Sequence, residues 1–329
     1  MRWCVLAGLL ALLMAVPAVF LTSSYDGDEV AYLYVYDGDE PSVVEERLSD
    51  LGVRTLGFGL LDGVLDYRVR PGRYAVRRGE SILALFRCLR NGQQEPLRLT
   101  IPSVRTLGQL YAYLGERLMV DSTALARALA NGWADDGHRY TEQTLPALFV
   151  PNTYEVYWNV STEELLRRMQ REQDAFWQGE RDRKARAMGM TREEVATLAS
   201  IVDEETANDA EKPMVAGMYV KRLAIGMPLQ ADPTVKFALG DFSLRRIWGK
   251  HLTIDSPYNT YKNTGLPPGP IRIASVAGID AVLDHVRHDY IYMCAKEDFS
   301  GTHNFARTYQ EHLQNAKRYA QALNQRGIR

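Results

Sequence analysis

Cysteine is scarce in this sequence, with three in 329 residues. Cys4, Cys88 and Cys294 are too few and too scattered for a disulfide framework or a zinc site of paired cysteines. Cys88 and Cys294 read as two buried hydrophobes, with pairing between them left open. The six histidines show no metal-ligand spacing. No metal or other cofactor is therefore expected. Excess charge is also lacking. Lys and Arg number 39 against 41 Asp and Glu, a formal net charge of −2. No block of five like charges occurs, so the basic field that nucleic-acid binding needs is missing. Internal repeats and low-complexity tracts are absent too. What remains is an ordinary globular composition, 46% hydrophobic and 24% charged.

One long apolar run stands out. "MRWCVLAGLLALLMAVPAVFL" is uncharged from Trp3 to Leu21, 19 residues, about the length needed to cross a bilayer core. Arg2 precedes it, and Asp26, Asp28 and Glu29 follow. The positive-inside bias puts the N-terminus in the cytoplasm and the rest outside. A cleaved signal peptide competes with this reading, but its apolar region would be unusually long and no clean small-x-small site follows. An uncleaved single-pass anchor in the inner membrane is expected.

The fold class reads as α+β. Residues 1–24 form the anchor and 25–102 a small α+β module. A helical connecting region covers 103–190, and a mixed α/β domain with a mostly helical first part covers 191–329. In the module, "EVAYLYVY" (29–36) is expected as a strand. Pro41 opens a helix that Gly52 stops. "LDYRVRPGRYAVRRG" (65–79) reads as two strands about a Pro71-Gly72 turn. Ser81 should cap a helix ended by Gly92. "EPLRLTIP" (95–102) reads as another strand. Helices are expected at 106–118, 123–131, 162–188 and 191–206. Pro213 begins another, ended by Gly226. "YIYMCA" (290–295) reads as a strand, and Thr308 with Glu311 makes a capping box for a terminal helix.

"LASIVDEETANDAEK" (198–212) carries five carboxylates. On a helix, Val195, Leu198, Ala199 and Val202 form one apolar stripe. Glu204 then points roughly opposite and is expected in solvent, with Asp203 at the stripe's edge. Glu205 falls within about 50° of the stripe centre. It is the inward one of the three. Asp209 and Glu211 are expected in solvent. Desolvation raises a carboxyl pKa and can hold it protonated near neutral pH, the state a general acid needs. A structural alternative is a buried Glu that caps a loop or pairs with Arg. Downstream lie "LQADPTV" (229–235), "SPYNTYKNTGLPPGPI" (256–271) and "GTHNF" (301–305). Each has a plain reading: Asp232-Pro233 as a helix start, the prolines as loop stiffeners, His303 as a structural hydrogen-bonder. Together their tyrosines and amides also suit a sugar-binding groove. Gln230, Asp232, Tyr258, Asn259, Tyr261 and His303 are the substrate-binding candidates.

"LASIVDEETA", "MVAGMYVKRLAIGMPLQADPTV", "SPYNTYKNTGLPPGPI" and "THNF", in this order, resemble the YceG-like family of endolytic murein transglycosylases. The resemblance is dense over about 196–320 and weaker upstream. There, "VRPGRYAVRRGESILALFRCLRNG" is similar to the family's LysM-like subdomain and "FVPNTYEVYW" to its "PDTY" segment. It implies endolytic cleavage of peptidoglycan glycan strands, leaving 1,6-anhydro-N-acetylmuramic acid ends, by a lyase that needs no cofactor. Glu205 aligns with the family's catalytic Glu. Asp203 departs from a frequent Glu, which leaves its role open. Wall-synthesis glycan polymerases are the protein partners the resemblance implies, and termination or release of nascent strands is the implied task. The alternative function is a non-enzymatic, membrane-anchored peptidoglycan-binding scaffold.

Overall fold

A computed structural model describes residues 20–56, 58, 59, 61, 70–135, 137–244 and 246–327. The expected membrane anchor and the strand expected before Pro71 fall largely outside these residues. Among the described residues no helix is long and apolar enough to cross a membrane. The fold is mixed α+β, with short two-stranded sheets between helices. The chain divides into two compact units. One holds residues up to 99 with 114–121 and 154–161, and the other holds 100–113, 122–153 and 162–329.

In the first unit, β1 (Ala31–Val35) pairs antiparallel with β2 (Gly72–Val76). Leu33 faces Tyr74 across the ladder, and with Val35 and Val76 these alternate residues turn inward. α1 (Pro41–Asp50) and α2 (Ile82–Asn91) add Val44, Leu48, Leu85 and Phe86 to the same core. The termini of α2 follow from local chemistry. The Ser81 hydroxyl accepts from the Ala84 N–H at 3.3 Å, and Gly92 closes the helix at φ 67°. β3 (Leu97–Thr100) follows.

α3 (Leu107–Arg117) and α4 (Ser122–Leu129) come next, then the hairpin of β4 (Trp133–Asp135) and β5 (His138–Tyr140). β6 (Thr153–Val156) pairs with β3. The expected helix over 162–188 is two helices, α5 (Thr162–Trp177) and α6 (Glu180–Ala187). The break is Gly179 at φ 76°, a left-handed position that ends one helix and starts the next.

α7 (Arg192–Glu205) is the central element of the second unit. Every residue from Val195 to Val202 is buried, so the helix is covered on all sides rather than along one stripe. A capping box between Thr191 and Glu194 starts it. α8 (Lys212–Ala224), α9 (Asp232–Leu239) and α10 (Val276–Leu283) belong to the same unit. Val215, Tyr219 and Ile279 share a core with Leu198 and Ile201. β7 (Tyr292–Ala295) and β8 (His303–Ala306) form an antiparallel pair. α11 (Tyr309–Gln325) ends the described chain, started by the expected Thr308–Glu311 capping box. Cys88 and Cys294 are both free thiols.

Candidate active site

Three consecutive acids leave the end of α7, and each meets a different partner. Asp203 lies within 2.8 Å of the Lys212 ammonium and accepts from the Ser275 N–H and hydroxyl, both at 2.7 Å. Its side chain is 3% exposed, so the expected edge position is in fact fully enclosed. The expectation that Glu204 lies in solvent is also corrected. Glu204 takes a two-pronged contact from Arg105 at 2.8 and 3.0 Å and a third from Arg272 at 2.9 Å. Helical phase misplaces both acids because other segments cover most of α7 near its C-terminus. The segments that cover it come from far along the chain. The expectation of a solvated Glu211 fails as well. Glu211 is 8% exposed and binds His303, whereas Asp209 is 70% exposed and pairs with Lys212 at 2.7 Å.

Among the described residues no cation pairs with the carboxyl of Glu205. Its Oε1 accepts from the Tyr219 hydroxyl of α8 at 2.8 Å. The residue keeps partial solvent exposure, yet protein crowds its carboxyl. Desolvation pushes the pKa up to about 7. The Tyr219 bond pulls against that rise, the charge of Asp232 adds to it, and His303 and Arg222 oppose it. Burial and the neighbouring Glu205 hold the Tyr219 phenol well above its usual range, so it stays a donor.

The flanking loops are built by side chains from both motifs. Thr260 joins them: its carbonyl accepts from the Gln230 N–H at 3.1 Å and its hydroxyl from the Ala231 N–H at 3.0 Å. Gln230 is exposed and sits at φ 49°, a left-handed conformation rare outside glycine and often found at functional sites. The Asp232 carboxylate accepts from the Tyr261 hydroxyl at 2.6 Å, and both side chains remain partly exposed. Glu211 accepts from the His303 N–H at 2.6 Å and faces its Nδ1 at 3.0 Å, which favours a proton on that nitrogen. The 256–271 loop is anchored from below by Ser200, whose hydroxyl accepts from the Ile271 N–H at 3.0 Å. Gly269 has no room for a Cβ, which would lie 2.0 Å from the Gln143 carbonyl oxygen.

Asp232, Tyr261 and His303 thus lie around Glu205 with polar groups still partly open, and Gln230 is exposed two residues before Asp232. Asn259 keeps no open polar group, and Tyr258 packs on the core while staying partly exposed. Asn259 is 0% exposed, and its amide donates to the Leu252 and Ile254 carbonyls at 2.9 Å each while accepting from the Tyr261 N–H. It braces the loop and has no group left for a sugar. The Tyr258 ring lies 4.7 Å from that of Phe237 and packs on the main core. Tyr219, Arg222 and Glu211 were not singled out from the sequence. Only the polar residues within the apolar run of α8 and the acid two positions before Pro213 hinted at them. Arg222 is buried and donates to the Ile291 and Leu229 carbonyls at 2.6 and 2.5 Å, tying α8 to β7 and to the 229–235 loop.

The model of the YceG-like family matches residues 33–318. The chain belongs to the YceG-like family. An endolytic murein transglycosylase of Bacillus subtilis is 42% identical over 130 residues, 40% of this chain and 35% of that protein. One of Streptococcus pneumoniae is 28% identical over 284 residues, 75% of this chain and 50% of that protein. The chain therefore spans half or less of the length of these curated relatives. The crystal structure of a yceG-like protein from Listeria monocytogenes matches with a TM-score of 0.56 and 24% identity, covering 88% of this chain and 99% of that one. That likeness shows a shared fold.

Two substitutions around Glu205 should move its titration in opposite directions. Tyr219→Phe removes a bond that favours the carboxylate, so the pKa rises further and the alkaline fall in kcat/KM moves to higher pH. Asp232→Asn removes a repelling charge, so the fall moves to lower pH. A pH profile of each variant checks the pair. Shifts of the same sign would contradict this account of the site.

Proposed function

We propose that this family member is an endolytic lytic transglycosylase of peptidoglycan with Glu205 as its single acid and base. The observation that carries the reading is the Glu205 carboxyl, unpaired with any cation among the described residues and poised near pH 7 beside polar loops. The names of the Bacillus and Streptococcus relatives support the same activity. Protonated Glu205 donates to the oxygen of the β-1,4 bond between N-acetylmuramic acid and N-acetylglucosamine as the C1–O bond breaks. The carboxylate then takes the proton of the muramyl C6 hydroxyl as O6 bonds to C1. The strand ends in a 1,6-anhydro ring, the acid is regenerated, and no water is consumed. Gln230, Tyr261 and His303 are the side chains best placed to hold the sugars, and Asp232 orients Tyr261.

The setting belongs to the same proposal. Residues 1–24 anchor the protein in the inner membrane, the LysM-like module and catalytic domain work outside the cytoplasm, and glycan polymerases supply nascent strands. Hydrolysis is a second reading, favoured by the charge that Asp232 places near Glu205. A hydrolase uses two carboxyls roughly 5–9.5 Å apart.

The test is full-length Glu205→Gln on isolated sacculi. Fragment release should be lost while sacculus binding persists. Restoration of cell growth by that variant would instead favour the non-enzymatic scaffold.

A further inference from the structure

The first unit carries a cleft of about 420 Å³ that the cleavage chemistry does not use. Its aromatic side comes from the end of β1 and the segment after β6. The Trp158 ring meets Tyr34 at 5.0 Å and Tyr36 at 4.9 Å, both edge-on. Trp158 is 5% exposed, while Tyr34 and Tyr36 are 37% and 47% exposed. A buried Trp thus fixes two tyrosines that remain open to solvent. The other side is basic: Arg73, Arg98 and Arg117 line the cleft, against Glu116 as the only acid among its lining residues. The Arg73 guanidinium is held 3.5 Å over the Tyr32 ring and bonds to the Glu95 and Pro96 carbonyls, so it is pre-positioned. Arg98 projects from β3 into solvent with no ion-pair partner among the described residues. Arg117 lies 3.4 Å from Glu116.

Rigid aromatic edges beside several guanidinium forks suit a ligand that is apolar on one side and carboxylated on the other. A neutral sugar chain would not call for Arg73 and Arg98 beside these rings. We infer that this cleft binds the acidic peptide stem attached to the glycan strand. Stem carboxylates meet the arginines, and small aliphatic side chains lie against the tyrosines. This rests on the reading of the protein as a peptidoglycan enzyme. It makes the substrate class a stemmed rather than a naked strand.

The test uses full-length Glu205→Gln, so that binding is read without cleavage. Four probes are titrated: stemmed glycan oligomers, the same oligomers stripped by an amidase, the free stem peptide, and neutral chito-oligosaccharide. Stripping leaves one lactyl carboxylate per disaccharide, so this set separates stem from sugar carboxylates. Stemmed oligomers should bind about tenfold tighter than stripped ones, as one or two charge-assisted hydrogen bonds supply. The preference should weaken with salt. Arg98→Glu, on an exposed strand position, should remove it without changing affinity for stripped oligomers, and Tyr36→Ala should reduce it. Equal affinity for stemmed and stripped oligomers, or a preference unchanged in Arg98→Glu, overturns the proposal. Wild-type protein on sacculi gives the separate reading. Lost preference with intact cleavage removes only the stem cleft. Absent cleavage with intact preference removes only the enzymatic function.

Discussion

Glu205→Gln should make the protein more stable above pH 7, not less. The carboxyl titrates from 4.5 when unfolded to about 7 when folded. Between those values the folded state holds a proton that the unfolded state has released. Stability therefore falls as pH rises through this window and levels off above it, at a cost of about 3 kcal/mol. Gln has the same shape, keeps a carbonyl to accept from Tyr219, and cannot ionise. The variant should match wild type near pH 4 and exceed it by several degrees of melting temperature at pH 8. In the same preparation strand cleavage should fall by about a thousandfold or more, since the acid supplies both proton transfers. Thermal melts across pH 4–9 check the first part. A variant equally or less stable than wild type at pH 8 would mean that Glu205 is not strained by burial. The gain in stability on losing the group would also mark the residue as kept for chemistry.

The second large effect lies two residues earlier. Asp203 and Lys212 are 3% and 7% exposed at their side chains and face each other at 2.8 Å. Burial alone would lower the Lys212 pKa, but bonds to Asp203 and Asp209 more than offset it and hold the ammonium charged. Asp203 also satisfies the Ser275 N–H and hydroxyl, and that hydroxyl caps α10 by accepting from the Gly278 N–H at 2.9 Å. Lys212→Met leaves the buried Asp203 carboxylate without its cation, and Asp203→Ala leaves the buried ammonium with only the exposed Asp209 and the Ser275 N–H and hydroxyl without their acceptor. Each should cost about 3–5 kcal/mol. The double variant should lose clearly less than the sum, because neither charge is left alone. Denaturant titrations of the four proteins measure this, and strict additivity would contradict it. The pair is an anchor for the end of α7, and the shorter Asp suits it. A Cβ on Gly278 would lie 2.6 Å from the Asp203 carboxylate, so this close approach leaves no room on either side.

Local chemistry was legible in the sequence. The Ser81 cap, the Gly92 stop and the Thr308–Glu311 box depend on residues within four positions of each other. The inward Glu205 was legible as well, from helical phase and from the resemblance. The same phase misassigned Asp203 and Glu204, because their partners lie far along the chain. Arg105 is 99 positions from Glu204, Arg272 is 68, and Ser275 is 72 from Asp203. Periodicity describes one helix against one core and is silent when a helix is enclosed. Asn259 illustrates a second limit. An amide in a Tyr-rich loop suits sugar recognition in composition, yet three loop bonds consume it. The break at Gly179 was readable in principle, since a glycine between two polar helical stretches is a stop signal.

The chemistry of the new strand end tests the central claim most directly. Purified wild-type protein is incubated with isolated sacculi, and the soluble fragments are read by mass spectrometry in water enriched in heavy oxygen. One acid acting twice predicts internal fragments ending in 1,6-anhydro-N-acetylmuramic acid, with no heavy oxygen incorporated and none released by Glu205→Gln. Reducing ends that carry the heavy oxygen would contradict the account and make Asp232 the second carboxyl of a hydrolase.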